Sequence, residues 1–273
     1  MRRFLYADKF LMNSDTRGAG YLELVDGKFG DYYKELPDDN AEVVDRSGQW
    51  IAPGLVDTHI HGFKNHDVMD NDAEGLKVMS DGLLECGVTS FLPTTLTSSK
   101  ERLKDVAATI GQVQNEVTGA KIQGIYFEGP FFTEEHKGAQ NPIYFADPDL
   151  ATFHEWQEAS GGIIKKIALA PERAGVKEFV KAVTEEGVVV ALGHSDATLE
   201  EATDAVEAGA SVFVHAYNGM RGLNHREPGM VGALMSLQHV FSELICDGHH
   251  VHPQAAEILM EKAGHDHVAL ITD

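Results

Sequence analysis

The chain has 273 residues, a formal net charge of −21 and a hydrophobic share of 43%. That apolar share excludes a disordered chain, and 43 acidic against 22 basic side chains argue against a nucleic-acid or anionic-membrane partner. No apolar run is long enough for a spanning helix, Asp8 comes too early for a secretory signal, and Cys86 and Cys246 are too few for a disulfide framework, so a cytoplasmic protein is expected.

Residues 1–52 read as the N-terminal part of a small β domain. Phe4–Tyr6, Tyr21–Val25 and Ala41–Val44 are short strand-like runs, with Asp26-Gly27 and Ser47-Gly48 as turn signals around them. From residue 53 to residue 273 the pattern alternates strand and helix. Apolar runs recur at Gly54–His59, Val88–Pro93, Ile122–Phe127, Lys166–Ala170, Val188–Leu192, Ser211–His215, Ser242–Cys246 and Val268–Thr272. Their continuous Val, Ile, Leu and Phe content fits strands covered on both faces, as in a parallel sheet.

The segments between them carry helix signals. Ser98-Ser99-Lys100-Glu101 reads as a capping box before the stripe Leu103, Val106, Ile110, Val113 and Val117. Asp147-Pro148 opens a second helix. Val176, Phe179, Val180 and Val183 form a stripe that ends at Gly187. Thr198-Leu199-Glu200-Glu201 is a further capping box, closed at Gly209. The predicted fold is an α/β chain: a (β/α)8 TIM-like barrel lacking its last helix, with a small, incomplete β-sandwich domain.

In such a barrel chemistry belongs at the carboxyl ends of the strands. Six of the 14 histidines and several acids gather there: His59 and His61, Glu128, His194, His215, Asp247 to His250, and Asp273. His59 and His61, at i and i+2 on a strand, point the same way and can reach one ion. Imidazole with carboxylate suits Zn²⁺, Fe²⁺, Mn²⁺ or similar ions, and an open coordination position would make hydroxide available near neutral pH. The chemistry this implies is hydrolysis at a carbonyl-like carbon.

The run Pro53-Gly54-Leu55-Val56-Asp57-Thr58-His59-Ile60-His61-Gly62 resembles the opening of the amidohydrolase superfamily. Further runs narrow the resemblance to its N-acetylglucosamine-6-phosphate deacetylase family. They are Gly124–Phe131, Lys137-Gly138-Ala139-Gln140-Asn141-Pro142, Leu192–Thr198, His215–Met220, Arg226-Glu227-Pro228-Gly229, Asp247–Val251 and Thr272-Asp273.

The resemblance implies removal of acetate from an amino-sugar phosphate. It implies Glu128, His194 and His215 as the main metal ligands, with His59 and His61 adding a second ion that Glu128 bridges. Asp273 is implied as general base and then acid, and His250 as the donor to the amide carbonyl. Ala139, Gln140, Asn218, Gly219, Arg226 and His250 are implied as substrate contacts, Asn218, Gly219 and Arg226 at the phosphate. A homodimer is implied, with a phosphate-binding Arg reaching across the interface. Members of that family run on past the equivalent of Asp273, so the chain is expected to be either a truncated product or an incomplete record of a longer one, unstable or inactive as it stands. Another amidohydrolase activity, cyclic amidase or deaminase, and an inactive sugar-phosphate or metal binder are the alternative expectations.

Overall fold

The computed structural model describes residues 2–13 and 15–273. Contacts divide the chain into two units, Met1–Leu55 and Val56–Asp273.

In the first unit the strand Arg3–Leu11 is central. It pairs antiparallel with Gly20–Val25 and Thr16–Arg17, and parallel with Glu42–Ile51. Ala7, Phe10 and Leu22 form its small buried cluster. Asp26 and Gly27 both take positive φ, 49° and 75°, the geometry of a two-residue hairpin turn. That turn produces a strand the sequence pattern did not show, Lys28–Tyr33; Phe29-Gly30-Asp31 is exposed and lacks apolar alternation. Ser47-Gly48, expected as a turn, lies inside the strand Glu42–Ile51. Gly48 sits at φ 80°, and the register with the central strand shifts between Ala7 and Lys9. The glycine serves a bulge rather than a reversal.

The second unit carries eight barrel strands in chain order: Leu55–Ile60, Val88–Thr95, Ile125–Phe131, Ile164–Leu169, Val189–Leu192, Val212–Phe213, Phe241–Ile245 and Val268–Ile271. Each is hydrogen-bonded to the next, and all pairings from the second strand onward are parallel. The eight expected runs all become strands. The third starts later than expected, because Lys121–Ile122 pairs separately with the second strand. A break follows at Gly124, where a Cβ would lie 2.3 Å from the Lys165 side chain.

Side chains alternate between two buried layers, as a pleated strand requires. Phe91, Phe127, Ile167, Val190 and Phe213 pack outward in the main core with the helices. Leu92, Tyr126, Ala168, Ala191 and Val214 form a separate inner cluster. The helix Val176–Glu185 buries Val176, Phe179, Val180 and Val183, its whole apolar stripe; each such side chain contributes about 1.5–3 kcal/mol. Thr198 and Glu201 make the expected reciprocal cap on Leu199–Ala208. The helix Lys100–Val113 is capped by Ser99 instead, whose side chain accepts from Arg102 N; one residue of shift removes the Glu101 partner of the expected box. Asp149, not Asp147, caps Leu150–Ala159.

Asp57 joins the first strand to the last. Its Oδ2 accepts from Thr272 Oγ1 at 2.5 Å and its Oδ1 from Thr272 N at 3.4 Å, while Asp273 N donates to His59 O at 2.9 Å. Those bonds bring residue 273 to the mouth of the first strand. No helix among the described residues is long and apolar enough to cross a membrane.

Candidate metal centre

Four imidazoles from three strand ends converge on one carboxylate. Glu128, 2% exposed, turns Oε1 toward His194 Nε2 and His215 Nε2, each at 3.2 Å, and toward His59 Nε2 at 3.5 Å. Its Oε2 faces His61 Nε2 at 3.3 Å. The ligand atoms make two overlapping groups, His59–His61–Glu128 and Glu128–His194–His215, each held within 4.8 Å. Asp273 adds Oδ1 at 3.2 Å from His59 Nε2 and 3.1 Å from His61 Nε2.

The far side of each ring fixes its tautomer. His61 Nδ1 faces Thr94 O at 3.1 Å, His194 Nδ1 faces His136 O at 2.8 Å, and His215 Nδ1 faces Asn218 O at 3.0 Å. His59 Nδ1 faces Glu243 Oε2 at 3.3 Å. All four partners only accept, so each Nδ1 carries a hydrogen, and a ring in its neutral form turns an Nε2 lone pair inward. Yet Nε2 meets Nε2 at 3.2 Å for His59 and His61, and at 3.1 Å for His194 and His215. Lone pairs and two carboxylates cannot be held this close without positive charge between them. A divalent cation with nitrogen and oxygen ligands fits that demand.

The electrostatics agree. Burial disfavours a charged His61, but hydrogen bonds to Asp273 and Glu128 push it up to about 10. Against its own burial, His59 is raised by Glu128 and Asp273. Burial would raise Glu128 and Asp273, and the surrounding imidazoles hold both well below the usual carboxylate range.

The backbone here is constrained. His194, His215 and Asp273 take φ of 45°, 27° and 52°, an uncommon region for residues with a Cβ and one often found at functional sites. Gly129 follows Glu128 at φ 91°, where a Cβ would lie 2.2 Å from Thr97 Oγ1.

The expected substrate contacts are distributed unevenly. Gln140 is buried; its Nε2 donates to Glu128 Oε2 at 2.5 Å and its Oε1 accepts from Thr97 N at 2.8 Å. Its amide is therefore engaged within the protein, while Ala139 beside it is exposed. His250 is exposed, and its Nδ1 donates to Asp247 Oδ2 at 2.7 Å. Asp247 Oδ1 also accepts from His249 N and His250 N, an Asx-type turn that aims the ring. Asn218 Nδ2 donates to Ala216 O at 3.3 Å. Gly219 stands at φ 59°, against the His194 ring. The Arg226 guanidinium is exposed and has no hydrogen-bond or ion-pair partner among the described residues.

Sequence reasoning missed Lys166, Glu243 and the turn-forming role of Asp247. A lysine and a glutamate inside apolar strand runs were the available signal for the first two.

Residues 50–273 match the Amidohydrolase family. The chain is 42% identical over 224 residues to the N-acetylglucosamine-6-phosphate deacetylase of Vibrio furnissii, covering 82% of this chain and 56% of that protein. It is 40% identical over 232 residues to the N-acetylgalactosamine-6-phosphate deacetylase of Escherichia coli O157:H7, covering 85% and 61%. It superposes on the crystal structure of N-acetylglucosamine-6-phosphate deacetylase from Pasteurella multocida with a TM-score of 0.92 and 26% identity, over 100% of this chain and 72% of that one. The chain thus spans less than two thirds of the length of these two curated relatives.

Proposed function

The chain belongs to the amidohydrolase family, and from that premise we propose that it hydrolyses the acetamide of N-acetylglucosamine 6-phosphate, giving glucosamine 6-phosphate and acetate. The observation that carries the reading is the inward ring of Nε2 lone pairs about Glu128. The names of its relatives supply the amino-sugar phosphate.

Glu128, His194 and His215 would hold one divalent ion, Zn²⁺, Fe²⁺ or Mn²⁺, and His59 and His61 with Glu128 a second. When bound, such an ion supplies Lewis acidity toward an amide carbonyl and an attacking water.

The chain's own groups do the rest. Asp273 Oδ1, held between His59 and His61, takes the proton from the attacking water and returns it to the leaving amine. His250, aimed by Asp247, donates to the amide oxygen as charge develops there. Gln140 holds Glu128 by its amide and borders the sugar with Ala139. Asn218, the Gly219 backbone and Arg226 receive the phosphate, the guanidinium fork matching its oxygens. Arg226, exposed and without a side-chain partner among the described residues, also suits a homodimer in which it reaches the neighbouring subunit's substrate.

Acetate release from N-acetylglucosamine 6-phosphate, its unphosphorylated sugar and the galacto epimer tests the reading. Metal-dependent release that strongly favours the 6-phosphate supports it. Equal rates with and without phosphate overturn the phosphate assignment, and no release by the metal-loaded chain overturns the activity.

A further inference from the structure

Three of the four converging imidazoles give Nδ1 to a backbone carbonyl, and His59 alone gives it to a carboxylate. That carboxylate, Glu243, lies on the seventh barrel strand. Its Oε2 is 3.3 Å from His59 Nδ1, and its Oε1 accepts from Thr58 Oγ1 at 2.9 Å and from Lys166 Nζ on the fourth strand. His59, Glu243 and Lys166 are 0%, 2% and 4% exposed. Lys166 Nζ also stands 3.8 Å from the centroid of the Tyr126 ring, which meets the His59 ring edge-on at 4.8 Å. First, third, fourth and seventh strands are thereby tied together beneath the ion site. No step proposed above uses Lys166 or Glu243.

A buried ion pair is an expensive way to fix a tautomer. Desolvating both charges costs several kcal/mol each before their attraction returns any of it. The other three rings show that a backbone carbonyl suffices for orientation. What a carboxylate adds is charge: an imidazole donating to it becomes a stronger ligand at Nε2. Lys166 in turn keeps the pair neutral, so the inner layer carries no second uncompensated negative charge beside Glu128.

We propose that Glu243, neutralised by Lys166, is a positioning residue for His59 that selectively strengthens the ion position formed by His59, His61 and Glu128. The inference rests on reading the cluster as a divalent-metal centre. It makes the two positions unequal: in one, His59 is backed by a charged relay, and in the other, His194 and His215 are backed by backbone carbonyls alone.

The test is a zinc titration of the metal-free chain against a competing chelator, with ions counted per chain. Wild type, His61→Ala, Glu243→Gln and the double variant Lys166→Met/Glu243→Leu are compared. Wild type should take up zinc in two steps, and His61→Ala should abolish one. Glu243→Gln should weaken that same step by about 10- to 100-fold and leave the other within about twofold. The double variant removes both charges and the Nδ1 acceptor while keeping apolar bulk, so it should fold and weaken the same step at least as far. Thermal melting of the metal-free proteins reports on folding. An unchanged affinity at the step His61→Ala abolishes overturns the inference. So does equal weakening of both steps, or a wild type with no step sensitive to His61→Ala. A wild type that binds no zinc overturns the metal-centre reading itself.

Discussion

His194 and His215 face each other Nε2 to Nε2 at 3.1 Å, and neither neutral ring has a hydrogen to place between them, because both Nδ1 atoms are committed to backbone carbonyls. The same opposition occurs between His59 and His61 at 3.2 Å. A folded chain tolerates this only where positive charge fills the gap, as protons or as a metal ion.

Metal uptake should therefore expel protons. His61, held up near 10 by Asp273 and Glu128 against its burial, is protonated at neutral pH without an ion, and only the neutral ring can ligate. Calorimetric zinc titration at pH 7 in buffers of different ionisation enthalpy should show net release of about one proton or more per chain, with affinity rising as pH rises. No buffer dependence would contradict the charge assignment.

Gly129→Ala should damage the site from within the backbone. The new Cβ would sit 2.2 Å from Thr97 Oγ1 and 2.8 Å from the Phe132 ring, at φ 91°. Replacing glycine where φ is positive costs more than about 1 kcal/mol, and the shift falls on Glu128. Lower melting temperature together with reduced zinc stoichiometry is expected; unchanged stoichiometry would separate Gly129 from the site.

Asp57→Ala removes the side chain that joins the first strand to the last. It strands the hydroxyl and amide of Thr272 and the amide of His59, a loss of about 2–4 kcal/mol. Hydrogen exchange should accelerate in Val268–Ile271 more than in the third or fourth strands. Uniform acceleration would mean that Asp57 contributes to general packing only.

Asp149 gives a pH-dependent term. It caps the helix Leu150–Ala159, and hydrogen bonds from Thr152 hold its carboxylate below the usual aspartate range. The folded-state pKa is the lower one, so the contribution is complete above the unfolded value and is lost as pH falls through the folded one. Asp149→Ala should cost about 1 kcal/mol at pH 7 in urea unfolding, and the gap from wild type should narrow as pH falls below the unfolded aspartate value of about 3.9. A gap independent of pH would assign the loss to packing.

The barrel was legible because parallel strands buried on both faces must be apolar throughout, and the turns between them carry caps and glycines. His59, His61, Glu128, His194 and His215 could be singled out because they follow those runs at a common end. Lys166 and Glu243 lie within the runs, and the sequence does not say that the lumen brings the two strands together. Gln140 is implied as a substrate contact by the family resemblance alone, and only the folded chain shows its amide occupied by Glu128 and Thr97. The strand Lys28–Tyr33 escaped notice because a hairpin turn, not a buried face, specifies it.

Anomalous diffraction at the zinc edge from zinc-soaked crystals tests the central claim most directly. The account predicts two peaks at bonding distance from the Nε2 atoms and Glu128, with each facing Nε2 pair drawn onto an ion. Crystals with no peak among these side chains, and with the Nε2 atoms still about as close as now, would contradict it.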